Sequence, residues 1–304
     1  MSSACESEPI AAVLCAGQPR KPHIALCLGG VARTFVQPLV HRSLYEHVIR
    51  ALGAHVVVFA CLASKDPKPW KADVPAIYQN RSRVDAALRA IGVPAEQAHV
   101  DEAGCDSEAS SSSFARCADY TAHPEAPPEG MFGKTLFSKD YLRSFVGQLE
   151  RKRLCMARVE AHEQRHRLEF SAVLYARPDL TWYGPLLPWC YIDWTQPVRK
   201  SDWVYLIPRR YAEAVLRTPH ADYFGCRADF NGSHQSTEKW LEAAYSRAQI
   251  SWRDDSSALP ALITRTPQTV GYDNCHRFQL REGVPREHCK AVIHQNPCND
   301  AVDL

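Results

Sequence analysis

The sequence predicts an α/β fold, a Rossmann-like, mostly parallel sheet with helices on both faces. Three observations predict it. Apolar runs without polar alternation, at 23–28, 55–61 and 171–176, have the pattern of strands covered on both faces. Apolar stripes at helical spacing lie between them, the first being Val40, Leu44, Val48 and Leu52. The strand, helix and strand between 23 and 61 together make a βαβ unit.

Taken in order, residues 1–21 read as a flexible leader and 22–304 as a single domain. The first apolar run ends at Gly29-Gly30, read as a tight turn. Pro38 suits the first turn of a helix, and Gly53 suits its C-terminal stop. Val84, Leu88 and Ile91 align on a short helix over 83–91, and 97–100 reads as a third strand. Residues 102–134, with a serine run at 110–113 followed by Pro124, Pro127 and Pro128, read as a long surface loop. From 138 to 167 a long helix turns Leu142, Phe145, Val146, Leu149, Met156 and Val159 inward, with Arg and Lys on a solvated face. Beyond 171–176, the pattern predicts a strand at 203–207 and a helix at 209–216. A short strand or turn at 222–225 and a helix at 238–248 follow. The tail, 271–304, is polar and contains Cys275, Cys289 and Cys298.

Composition narrows the function classes. Of 304 residues, 45% are apolar and 23% charged, which is ordinary for a globular protein. A net charge of +2 with no long Lys/Arg block argues against a protein built to hold nucleic acid. The longest apolar stretch, 56–63, is far short of the ~20 residues of a membrane helix. The N-terminus lacks the basic, apolar, small-residue order of a signal peptide. The chain therefore reads as soluble: cytoplasmic, or in the secretory-pathway lumen (Golgi) if an anchor precedes it. Two sequons, at Asn80 and Asn231, would matter only in that lumen. Of twelve cysteines, Cys27 and Cys61 sit in apolar runs and read as buried thiols. Cys275, Cys289 and Cys298 lie in the tail, where an oxidising compartment would give at least one disulfide.

In open parallel sheets, ligands bind beyond the carboxyl ends of the strands. Two segments fall there. In Gly29-Gly30-Val31-Ala32-Arg33-Thr34 the glycines admit a ligand close to the backbone, and Arg33 can reach a phosphate. A plain turn is the alternative reading. In Arg177-Pro178-Asp179-Leu180, Pro178 biases Arg177 toward an extended conformation, so Arg177 and Asp179 project to one side. A salt bridge ending a strand is the competing reading. Trp182, Trp189, Trp194 and Trp203 suit sugars and bases, or the core. His162 and His166 are spaced like a metal pair, but Glu163 and Glu169 do not complete a zinc-protease order, and the zinc reading is set aside.

The order of these segments resembles an uncharacterised glycosyltransferase-like family, related in pattern to nucleotide-sugar transferases of the GT-A type. The matching residues are Gly30-Val31-Ala32-Arg33-Thr34-Phe35, Gln148, Tyr175-Ala176-Arg177-Pro178-Asp179-Leu180, Asp202-Trp203-Val204-Tyr205 and Glu238-Lys239-Trp240-Leu241. They span roughly 23 to 290, and their specificity lies in their order. The resemblance implies a GT-A-like fold and transfer of a sugar from a nucleotide-sugar donor to a glycan, protein or lipid acceptor. It implies donor binding by Gly29, Gly30, Arg33, Thr34, Arg177 and Asp179, and a divalent metal, Mn²⁺ or Mg²⁺, held by oxygen ligands. The chain departs from the family's Asp-x-Asp motif, since Arg177 stands where the first Asp would be. Asp179 is left as the expected metal ligand, and Arg177 can itself hold phosphate. Asp202, Asp222 and Glu238 are candidates for the catalytic carboxylate. Two alternatives are a non-catalytic nucleotide- or glycan-binding protein, favoured by Arg177, and another Rossmann-type transferase such as a methyltransferase. Against the latter stands the lack of a Gly-x-Gly turn with an acidic ribose ligand.

Overall fold

A computed structural model describes residues 14–15, 20–66, 77–101, 139–224, 237–253 and 258–264. The expected loop at 102–134, the tail with Cys275, Cys289 and Cys298, and Asn231 lie outside the described residues.

The described elements are β1 (His23–Val31), α1 (Pro38–Leu44), β2 (His55–Ala63), β3 (Lys65–Asp66), β4 (Ile77–Tyr78), α2 (Arg81–Ala90) and β5 (Ala98–Asp101). They continue with α3 (Lys139–His166), β6 (Ala172–Ala176), β7 (Leu180–Trp182), β8 (Val198–Lys200), β9 (Val204–Pro208), α4 (Arg209–Leu216), α5 (Thr218–Phe224), α6 (Thr237–Arg247) and β10 (Ala261–Ile263). Helix α1 runs on into a π-helical segment, Tyr45–Arg50. Six strands form one mixed sheet in the order β5-β2-β1-β6-β9-β8. Pairs β5–β2, β2–β1 and β1–β6 are parallel, while β9 runs antiparallel to both β6 and β8.

The unbroken apolar character of β1 has a direct cause. Alternate residues enter opposite cores, because successive side chains leave a strand on opposite faces. Ile24, Leu26 and Leu28 pack with Val40 and Leu44 of α1, Val48 and Leu52 just beyond it, and Val84 and Leu88 of α2. Ala25 and Cys27 pack with Leu149, Met156 and Val159 of α3, Val215 of α4 and Leu241 and Tyr245 of α6. Helices thus cover both faces of the sheet.

Four readings change. The strand does not turn at Gly29-Gly30: β1 continues through both glycines to Val31. Its parallel partner extends with it, Gly29 opposite Cys61 and Gly30 opposite Leu62. Residues 222–224 are the end of helix α5, not a strand. Tyr223 there packs edge-on against Phe145 and Trp240, a long-range aromatic contact that outweighs local propensity. Cys27 is not a thiol but is joined to Cys155 on the inner stripe of α3, while Cys61 is a buried thiol. A second disulfide, Cys15–Cys190, ties a residue of the expected leader to the short helix at Trp189–Tyr191. The fourth change concerns α3, whose Arg and Lys are not all solvated: Arg151 and Lys152 are buried.

Candidate functional site

The sheet has a switch point between β1 and β6. The chain leaves β1 for β2 on one side and returns later to β6 on the other. The crevice beyond the carboxyl ends of two such strands is where open α/β sheets bind ligands. Both expected segments flank it.

Their approach is close enough to require glycine. A Cβ on Gly29 would lie 2.7 Å from the Tyr175 ring, and one on Gly30 would lie 2.7 Å from Cδ of Pro178. Gly30 also has φ +152°, a conformation that disfavours a side chain. The Tyr175 hydroxyl donates to the Gly29 carbonyl at 3.0 Å, tying the strand ends together. Both glycines are therefore required by the packing of Tyr175 and Pro178 against the end of β1.

Arg177 and Asp179 meet as their spacing predicts. Arg177 donates from Nε to Oδ1 at 2.9 Å and from Nη2 to Oδ2 at 2.7 Å, a two-point clasp of one carboxylate. Arg33 adds its Nη1 at 3.8 Å from the same Oδ2. Asp179 is 1% exposed and Arg177 17%. Burial by itself would lower the Arg177 guanidinium pKa, but the charge and hydrogen bonds of Asp179 hold it above its ordinary value.

Asp202 arrives by the reversed strand. Because β9 is antiparallel to β6, with Val204 opposite Ala176, the residues before β9 fall beside those after β6. The Arg177 amide donates to the Trp203 carbonyl at 3.0 Å, and Asp202 Oδ2 stands 3.9 Å from Arg177 Nη1. Ser201 has φ +52°, rare for a residue with a side chain, and its hydroxyl donates to Asp202 Oδ1 at 3.1 Å. That turn sets the carboxylate, 17% exposed, against the guanidinium.

The other expected residues lie differently. Thr34 is buried and its hydroxyl donates to the Thr264 carbonyl. Thr264 in turn donates its amide to the Asp179 carbonyl at 2.7 Å, and the Thr181 and Thr264 hydroxyls share a hydrogen bond of 2.6 Å. Thr34 therefore braces the Asp179 turn. Asp222 pairs with Arg247 at 3.0 Å and joins α5 to α6. Glu238 is the second residue of α6, and its side chain lies outside the described set. Trp182 is core, and Trp189, Trp194 and Trp203 pack against the same core. The His162 and His166 rings pack together, with centroids 4.1 Å apart, and His162 also meets Phe59 and Phe170.

Sequence reasoning missed Lys152 and Arg151. Lys152 is 2% exposed, donates to the Tyr205 hydroxyl at 3.1 Å, and lies 4.5 Å from the Tyr205 ring centroid and 5.4 Å from that of Tyr175. Burial pushes its ammonium pKa down to about 8, with Asp202 pulling it up and Arg177 and Arg199 pressing it further down. A signal existed: Lys152 follows Leu149 by three positions and precedes Met156 by four, so it sits on the inner stripe of α3. Neither models of known protein families nor curated proteins give a match to this chain.

Proposed function

We propose that the chain is a nucleotide-sugar-dependent glycosyltransferase, moving a sugar from a nucleoside diphosphate donor to a hydroxyl of a glycan, protein or lipid acceptor. The observation that supports this best is the Arg33–Asp179–Arg177–Asp202 cluster at the switch point of the sheet. In such a transfer the acceptor oxygen bonds to the anomeric carbon, the bond from that carbon to the donor phosphate breaks, and its electron pair leaves on the diphosphate. Guanidinium groups held in place beforehand stabilise that departing charge. Asp202, the more exposed carboxylate of the cluster, takes the acceptor proton. Asp179 holds Arg177 in position, and Asp222 is engaged by Arg247. The disulfides Cys27–Cys155 and Cys15–Cys190 favour an oxidising compartment such as the Golgi lumen.

A second reading, a non-catalytic nucleotide- or glycan-binding protein, is favoured by the double engagement of Asp179 with Arg177. Calorimetry with nucleoside diphosphates, with and without Mn²⁺, followed by transfer assays with nucleotide sugars, separates the two. Arg177→Ala should weaken nucleotide binding roughly tenfold to a hundredfold, and Arg177→Lys less, because lysine keeps charge and loses the fork. Asp202→Asn should bind and not turn over. Wild type that binds nucleotide without any transfer favours the second reading. Wild type that binds no nucleotide under either condition defeats the transferase reading and leaves only the glycan-binding form of the second.

A further inference from the structure

Among the described residues, positive charge outweighs negative charge at the switch point. Arg33, Arg151, Lys152 and Arg177 among them bring four positive charges, and Asp179 and Asp202 two negative ones. Two of those cations are costly. Lys152 has tyrosines for neighbours, and among the described residues no carboxylate touches it. Arg151 is 6% exposed, its Nε has no hydrogen-bond partner, and it acts on the Tyr175 hydroxyl, which closes onto Gly29. Buried cations without counter-ions destabilise a fold unless something else offsets them. An anion arriving at Arg33 and Arg177 would do so, since charges act over longer range in a site poor in water.

The same residues do not suit a divalent metal. Mg²⁺ and Mn²⁺ need carboxylate oxygens turned toward them. Both Asp179 oxygens already accept from Arg177, and Arg33 stands by Oδ2. The other carboxylate, Asp202, faces Arg177. Among the described residues, no three His, Cys, Asp or Glu side chains converge on a point that would hold a metal. A doubly charged cation placed here would meet guanidinium groups before it met oxygen.

We infer that this crevice takes a diphosphate anion without a divalent metal, Arg33 and Arg177 making the contacts and Arg151 and Lys152 supplying the field behind them. The ligand class rests on the donor reading above, but the claim of metal-free charge compensation is separate from it. The deciding experiment is calorimetry on the full chain with inorganic pyrophosphate and with nucleoside diphosphates, each in EDTA and in Mn²⁺. A thermal melt of every variant verifies that it is folded.

The expected result is pyrophosphate binding of equal strength in EDTA and in Mn²⁺. Lys152→Met should weaken it about tenfold, and Arg177→Ala roughly tenfold to a hundredfold. Lys152→Met removes a buried charge and keeps the aliphatic volume, so it should fold even if Arg177→Ala does not. Binding of pyrophosphate and nucleotide only in Mn²⁺ overturns the inference and leaves the donor reading standing. Metal-free pyrophosphate binding that neither variant weakens places the anion elsewhere and also overturns it. Binding of neither ligand under either condition ends both claims. Metal-free pyrophosphate binding lost in Lys152→Met, with no nucleotide bound, sustains the inference and ends the donor reading.

Discussion

Asp179→Asn is the sharpest probe of the site, because the structure makes its carboxylate a support for two cations. The substitution keeps shape and removes one charge. Of the two bonds from Arg177, one then points a donor at the new amide –NH₂, and Arg33 loses its ionic contact at Oδ2. Removing one member of a buried ion pair costs about 3–5 kcal/mol, since the other charge stays behind uncompensated. Arg177 is 17% exposed, so water reaches part of the guanidinium and the lower end, about 3 kcal/mol, applies. For a chain of this length each kcal/mol shifts Tm by about 2 °C, giving a fall of roughly 6 °C. Calorimetric melts of wild type, Asp179→Asn, Arg177→Gln and the double variant measure it. The double variant should recover part of the loss, a coupling of roughly 1–3 kcal/mol. A Tm fall under about 2 °C, or strictly additive effects in the cycle, would show that Asp179 does not neutralise Arg177.

Three further outcomes follow from the same geometry. Between pH 8 and 10.5 the unfolded chain binds a proton at Lys152 that the folded chain does not, so stability rises with pH across that window. Lys152→Met should therefore melt above wild type near neutral pH and lose that advantage by about pH 10, as paired melts will show. The Cys27–Cys155 bond spans 128 residues, and its loss through Cys155→Ser should cost about 4–5 kcal/mol; a reducing agent should lower the wild-type Tm well beyond that of the variant. Burial lowers the pKa of His41 and of His47, so as the pH drops through the ordinary 6.5 the unfolded chain takes up protons first and stability falls as the pH is lowered. A wild-type Tm that stays flat between pH 7 and 5 would contradict those two assignments.

By itself the sequence determined the main strands at 24–28, 56–61, 171–176 and 203–207, the principal helices, and that Arg177 and Asp179 share a spot. Those properties are local: a run such as 24–28 without polar residues must be covered on both faces, and two residues either side of one proline reach the same side. The stripe on α3 was equally legible, and Lys152 lies on it, but a lysine there reads as solvated until something is seen to cover it. Tertiary structure alone decided the rest. The reversal of β9 brings Asp202 beside Arg177, because antiparallel pairing places the start of one strand at the end of its neighbour. Cys27 meets Cys155, Thr34 meets Thr264, and Asp222 turns to Arg247, each across a gap in sequence that no spacing rule spans. A side chain's partner depends on which surfaces pack together, and packing is a property of the whole chain. Periodicity reports only the face a residue occupies, which is why Arg33, Arg177, Asp179 and Asp202 could be named from sequence while the meeting of Asp202 with Arg177 and the burial of Arg151 and Lys152 could not.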